Sequence, residues 1–101
     1  MQRDIRGILT GLGPLLGFPP ERFADAAIEV DDRFVGGGYG IPTPESQEAL
    51  ELTARSDAVI LDPTYTSKAM AALIAAIRRR ELPDRETVLF WHTGGQTGLF
   101  A

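Results

Sequence analysis

Three short polar groups in this 101-residue sequence carry side chains suited to hold and act on a small ligand. Tyr39 ends a run of glycines, Tyr65 and Thr66 close a proline-containing loop, and Thr93 with Gly94 follows an apolar run. Phenols and threonine hydroxyls both donate and accept hydrogen bonds, and the backbone N–H groups of a glycine turn hold anions or polar ring substituents. These residues are the candidate ligand-binding groups.

Other chemistries fit the sequence less well. With no cysteine, there is no disulfide, thiolate zinc site or cysteine nucleophile. His92 is the single histidine, so we predict a hydrogen-bonded structural role for it and no metal site. Lys68 is the single lysine, and its place near a helix start predicts a solvated side chain. The glycine run is not followed by the Gly-Lys-Ser/Thr of a phosphate-binding loop.

Composition limits the class of protein. The chain is 44% hydrophobic and 24% charged, which is typical of one small soluble domain. Its net charge of −4 argues against a nucleic-acid binder, which needs a basic face. No apolar run approaches the roughly 18 residues of a membrane span. We therefore expect no nucleic-acid partner, no membrane partner and a cytoplasmic location.

The elements that would position the candidate residues are two apolar runs and a helix between them. Residues 58–61 and 87–91 predict strands buried on both faces, and the apolar stripe of Met70, Leu73, Ile74 and Ile77 predicts the helix. Strand, helix and strand at this spacing predict a parallel pair. Tyr65, Thr66 and Thr93 would then meet outside the carboxyl ends of the strands. The predicted fold class is α/β, a partial parallel sheet with flanking helices.

Three further elements precede this unit. Apolar residues between Ile5 and Leu16 predict a helix that Pro14 ends or kinks. Residues 27–30 predict a short strand. Thr43 as N-cap and Pro44 at the first helical position predict a helix to about Ser56, with Ala49, Leu50 and Leu52 buried.

Three blocks of sequence, in order, resemble a known family: Tyr39-Gly40-Ile41-Pro42-Thr43-Pro44-Glu45, Leu61-Asp62-Pro63-Thr64-Tyr65-Thr66-Ser67-Lys68-Ala69-Met70 and Val88-Leu89-Phe90-Trp91-His92-Thr93-Gly94-Gly95. They are similar to the carboxyl-terminal part of the D-cysteine desulfhydrase and 1-aminocyclopropane-1-carboxylate (ACC) deaminase family. These enzymes use pyridoxal phosphate and have the tryptophan-synthase-β-like fold. The resemblance implies that residues 1–101 are a single partial domain, about the last third of a family member.

The resemblance also implies roles for the candidate residues. Tyr39 and Tyr65 are implied to be catalytic, Tyr39 lining the substrate side of the cofactor and Tyr65 lying near the reacting substrate. Thr66 is implied to face the pyridine nitrogen of pyridoxal phosphate, and Thr93 and Gly94 to pack beside its ring. Ser67 departs from the usual glycine of the family, and Gly37 from its usual proline.

The residue at position 66 bears on the reaction. ACC deaminases carry glutamate there, which keeps the pyridine nitrogen protonated and the ring a strong electron sink. A threonine leaves a weaker sink, sufficient to expel a thiol. The resemblance with Thr66 therefore implies conversion of the small amino acid D-cysteine to pyruvate, sulfide and ammonia, with an ACC deaminase-type reaction as the alternative.

In the family, the lysine that forms the Schiff base and the phosphate-binding loop lie upstream of these blocks. We therefore expect this chain alone to be inactive, and to need a missing amino-terminal portion or a homo-oligomer partner. A truncated inactive protein and a small interaction module remain alternatives.

Overall fold

The computed structural model describes residues 1–95, 97 and 100. All regular secondary structure in these residues is helical. In chain order these are α1 (Gln2–Leu15), a 3-10 helix (Pro20–Phe23), α2 (Pro44–Asp57) and α3 (Thr66–Arg78). They fall into two compact units, Met1–Asp31 and Asp32–Ala101. Among the described helices, none combines the length and apolar character needed to cross a membrane.

The first unit contains α1 and the 3-10 helix. The predicted helix is confirmed, but Pro14 lies inside its last turn and does not stop it. The stop comes at Gly17, whose φ of 75° is costly for any residue with a Cβ. There the Phe18 N–H donates to the Gly13 carbonyl at 2.9 Å and the Gly17 N–H to Pro14 at 3.1 Å, the paired bonds of a Schellman motif.

Residues 27–30 of this unit form no strand. Their segment is held by side chains of α1 instead: Gln2 donates to the Ile28 carbonyl at 3.1 Å, and Arg6 donates to the carbonyls of Ala24 and Ala26 at 2.6 and 3.2 Å. These bonds satisfy carbonyls of the returning chain without a neighbouring strand.

In the second unit, α2 begins where the sequence predicts. The Thr43 hydroxyl accepts from the Ser46 N–H at 3.1 Å, and the Ser46 hydroxyl accepts from the Thr43 N–H at 2.9 Å, so the two residues form a capping box. Ala49 is buried as expected, but Leu52 is exposed and Thr53 is buried in its place. The buried face of α2 is therefore made of small side chains.

Helices α2 and α3 pack against each other around a small core. Its buried apolar residues are Ala49, Leu61 and Ala71, and small side chains at two of these positions allow the helices to approach closely. Arg78 at the end of α3 donates to both carboxylate oxygens of Glu48 on α2, at 2.6 and 3.1 Å. The expected apolar stripe of α3 is only half-buried, and Ile77 at its end is exposed.

The expected α/β fold with a partial parallel sheet is wrong. Residues 58–61 and 87–91 contain no strand, and neither does any other segment of the described chain. The prediction rested on apolar composition, whereas a strand also needs a hydrogen-bonded neighbour, and a parallel pair alone is weakly stable. Leu61 is fully buried, but Leu89 and Trp91 remain 77% and 75% exposed, so these runs are not covered on both faces.

Candidate functional site

The loop before α3 is organised by a buried carboxylate. Asp62 Oδ2 accepts from the N–H groups of Thr64 and Tyr65, both at 2.8 Å. Its Oδ1 accepts from the Thr66 N–H at 2.9 Å and the Thr66 hydroxyl at 2.6 Å. The N–H groups at a helix start have no intrahelical partners, so Asp62 caps α3 from three residues before its N-cap, Tyr65.

These bonds also keep Asp62 charged. Burial would by itself raise the pKa of Asp62, but the hydrogen bonds from Thr66, Tyr65 and Thr64 outweigh it, and the pKa lies below its usual value. The site therefore contains a buried negative charge fixed directly behind the Thr66 hydroxyl.

The Thr66 side chain has a defined hydrogen-bond direction. Its hydroxyl donates to Asp62 Oδ1 and accepts from the Asp62 N–H at 2.8 Å. A threonine hydroxyl has one proton and two acceptor lone pairs. The proton is engaged by Asp62, so Thr66 offers a further ligand a lone pair.

Tyr39 and Tyr65 meet edge to face. Their ring centroids lie 5.6 Å apart at an interplanar angle of 71°, a favourable aromatic geometry. Both side chains are exposed, Tyr39 by 80% and Tyr65 by 60%. The neighbouring Tyr39 phenol, together with desolvation and the nearby Asp62 charge, raises the pKa of Tyr65. At neutral pH the Tyr65 phenol is therefore protonated and accessible to a ligand.

Tyr39 is carried by a loop that is tied to α3. The Lys68 ammonium donates to the carbonyls of Val35 and Gly38, each at 2.8 Å. The solvated role expected for Lys68 is wrong, since the residue is only 9% exposed. The loop also approaches the start of α2 closely: a Cβ on Gly36, which has a φ of 69°, would overlap the Thr43 side chain. Glycine is required there.

The segment with Thr93 and Gly94 lies against the loop before α3. The His92 ring nitrogen Nε2 lies 2.9 Å from the Ile60 carbonyl, and the Gly94 N–H points to His92 Nδ1 at 3.4 Å, so Nε2 carries the donated proton. A Cβ on Gly95 would lie 2.8 Å from that of Asp62. His92 thus has the structural hydrogen bonds expected of it.

The structure brings the candidate residues together in part. Tyr39 contacts Tyr65, Thr66 contacts Asp62, and Thr93 and Gly94 lie between two residues, His92 and Gly95, that reach residues 60–62. This convergence comes from side-chain bonds and close approach, whereas the expectation rested on a sheet edge. Thr93 is exposed and Thr66 is buried.

Sequence reasoning missed two residues of the site. The sequence predicts only a loop at Asp62, although an aspartate two to four residues before free helix N–H groups is a recognisable capping signal. The sequence predicts a solvated Lys68, because residue types alone do not show that the start of α3 is buried. A sequence gives no sign of which carbonyls a lysine will reach across 30 residues of chain.

A separate surface groove lies between the glycine loop and the end of α3. It has a volume of about 430 Å³, and its lining includes Arg33, Arg78 and Arg79. These cations already pair with glutamates, Arg78 with Glu48 and the other two with Glu81. The groove is therefore not an open anion site.

Within the described part of the chain, no group of three or more histidine and acidic residues is placed to hold a metal. The groups that do converge are phenols, a threonine hydroxyl backed by a carboxylate, and a glycine loop. Such donors suit a flat, polar organic group with a proton to exchange.

The sequence also matches a known protein family. Residues 8–94 match the family described as pyridoxal-phosphate dependent enzyme. The match spans more than four-fifths of the chain and includes every candidate residue. This chain belongs to the pyridoxal-phosphate dependent enzyme family.

Proposed function

We propose that this chain is the cofactor-facing segment of a pyridoxal phosphate-dependent lyase that converts D-cysteine and water to pyruvate, sulfide and ammonia. The observation that supports this most is the Tyr39–Tyr65 phenol pair beside the Asp62–Thr66 turn. Both tyrosines and the threonine occupy the positions at which the sequence resembles D-cysteine desulfhydrases.

The described residues fit pyridoxal phosphate. The cofactor supplies an electron sink that stabilises the negative charge left on a substrate carbon after a proton is removed. Thr93 and Gly94 would contact one side of its ring, and Gly94 has open space where a Cβ would stand. The exposed phenols of Tyr39 and Tyr65 would face the substrate.

Tyr65 is the candidate proton donor. Its raised pKa keeps the proton on the phenol oxygen at neutral pH. Breaking the C–S bond of D-cysteine releases HS−, and a positioned phenol that donates a proton to the departing sulfur would assist this step by forming hydrogen sulfide. Tyr39 would hold Tyr65 in place through their edge-to-face ring contact.

Thr66 favours elimination of a thiol over the opening of a cyclopropane. Because its proton is held by Asp62, the Thr66 hydroxyl would accept a hydrogen bond from a protonated ring nitrogen and would itself remain uncharged. A neutral oxygen holds a proton on that nitrogen less strongly than the glutamate of ACC deaminases. The weaker electron sink that results is adequate for loss of a good leaving group.

The cofactor lysine would come from polypeptide outside these 101 residues. Lys68, the sole lysine, is buried and bound to two carbonyls. The exposure of Leu89 and Trp91 supports an additional covering portion, contributed by an amino-terminal region or by another subunit.

The test is a chimera in which this chain replaces the matching carboxyl-terminal segment of a D-cysteine desulfhydrase. With cofactor absorbance confirmed, we expect sulfide and pyruvate from D-cysteine and no ring opening of ACC. Thr66→Glu should lower the D-cysteine rate by about tenfold, which corresponds to about 1.4 kcal/mol in barrier height.

Thr64→Glu is the matched control, since it adds the same charge two residues away, and it should change the rate less. A cofactor-loaded chimera that opens ACC and releases no sulfide would contradict the proposed substrate. An unchanged rate in Thr66→Glu would contradict the role of Thr66.

A further inference from the structure

We infer that Lys68 is a positioning residue that fastens the loop of residues 35–38 to α3 and thereby holds the Tyr39 phenol against Tyr65. Its importance for catalysis rests on the function proposed above for the two tyrosines. The positioning itself is a property of this chain.

The environment of Lys68 is unusual for a lysine. The residue is only 9% exposed, and the hydrogen-bond partners of its ammonium in the described chain are the carbonyls of Val35 and Gly38. Burial of an ammonium without a carboxylate partner is costly, because the carbonyl dipoles only partly replace water. A neutral side chain would fill the same space at a lower desolvation cost. The charge is therefore explained by its hydrogen bonds to the two carbonyls.

Those carbonyls control the position of Tyr39. Gly38 directly precedes Tyr39, and its carbonyl accepts from Lys68 at 2.8 Å and from the Ile41 N–H at 3.4 Å. The Gly38 carbonyl oxygen thus connects the backbone before Tyr39 to Lys68 and to the backbone after Tyr39. Gly38 and Gly40 have φ values of 136° and 69°, so the loop has flexible residues on either side of the tyrosine.

Lys68 is also close along the chain to the second phenol, that of Tyr65. Lys68 lies three residues after Tyr65, on the helix that begins at Thr66. Lys68 therefore links the loop that carries one phenol to the helix that adjoins the other. Without its ammonium, Tyr39 would depend on the exposed ring contact at 5.6 Å, and an exposed aromatic pair contributes little by itself.

The experiment uses the fact that Tyr39 and Tyr65 are the only tyrosines in the chain. The full chain is labelled on its tyrosine rings, and NMR at neutral pH measures the cross-relaxation between the two rings. We expect clear inter-ring signals in the wild type and their loss in Lys68→Met, with the helical circular dichroism retained.

Arg55→Met is the matched control, because it removes a cation from an exposed position on α2 and should leave the inter-ring signals intact. If Lys68→Met loses its helical signal, Lys68→Gln, which keeps a polar donor in the pocket, takes its place and should also weaken the inter-ring signals.

A second readout distinguishes loss of positioning from loss of charge. Removing a nearby cation alone would raise the pKa of a phenol, whereas separating the two rings removes the neighbouring Tyr39 phenol that raises the pKa of Tyr65. We expect the Tyr65 pKa to fall in Lys68→Met, measured by tyrosinate absorbance.

A folded Lys68 variant with intact inter-ring signals, or with a raised Tyr65 pKa, would overturn the inference. Neither readout needs the cofactor or D-cysteine, so failure of the proposed function would leave this result unaffected.

Discussion

At Asp62, one carboxylate accepts four hydrogen bonds and joins three parts of the candidate site. It caps α3, it holds the Thr66 proton, and it lies where the chain passes Gly95. An acceptor this well satisfied is costly to replace, because the N–H groups around it would be left buried and unpaired. Asp62 therefore determines both the local fold and the hydrogen-bond direction of Thr66.

Asp62 should make stability depend on pH in the acid range. Its pKa is lower in the folded chain than the usual value of about 3.9, so its contribution is complete above that value and is lost as pH falls through the folded pKa. Asp62→Asn should lower the free energy of unfolding by roughly 1–3 kcal/mol at neutral pH. Thermal unfolding as a function of pH measures this.

The exposed Asp84 provides the control: Asp84→Asn should leave the curve almost unchanged. The Asp62→Asn deficit should shrink as the pH falls from about 3.9 through the lower pKa of the folded Asp62 carboxyl. A deficit that stays constant down to strong acid would contradict the role given to the charge.

At the scale of elements, the helices were largely predictable because their signals are local. The Thr43-Pro44 start of α2 and the arginines at the end of α3 both lie within one turn of the boundary that they mark. The strands were not predictable in this way. Residues 58–61 and 87–91 have the right composition, but a strand depends on a partner elsewhere in the chain, and here His92 reaches Ile60 through its side chain.

The two helix starts of the second unit also contain a matched pair of buried serines. The Ser46 hydroxyl is fully bonded within the capping box of α2, whereas the buried Ser67 hydroxyl at the start of α3 has no hydrogen-bond partner among the described residues. Ser46→Ala should therefore destabilise the chain by about 1 kcal/mol. Ser67→Ala should stabilise it by about 1 kcal/mol, because it removes an unpaired buried hydroxyl.

Denaturant unfolding of both variants beside the wild type measures the two changes. Equal destabilisation by the two substitutions would show that the Ser67 hydroxyl has a partner after all, and would contradict the account of the α3 start.

At the scale of the whole molecule, the predicted sheet is wrong, although segments that it was expected to bring together do approach one another. The grouping of Tyr65, Thr66 and Thr93 was expected at a sheet edge, and the structure gathers their segments around Asp62 without any strand in the described residues. Motifs indicate which residues are candidates for chemistry, but Lys68 and Asp62 act through contacts that only the folded chain defines. The contact between Tyr39 and Tyr65 could not be predicted from the sequence either.

The most direct test of the proposed chemistry is the D-cysteine rate of the chimera with Tyr65→Phe, measured beside the unsubstituted chimera at equal cofactor absorbance. Because the phenol proton is proposed to take part in the reaction, we expect kcat for sulfide release to fall by at least about 100-fold. An unchanged kcat in a fully cofactor-loaded Tyr65→Phe protein would contradict the account.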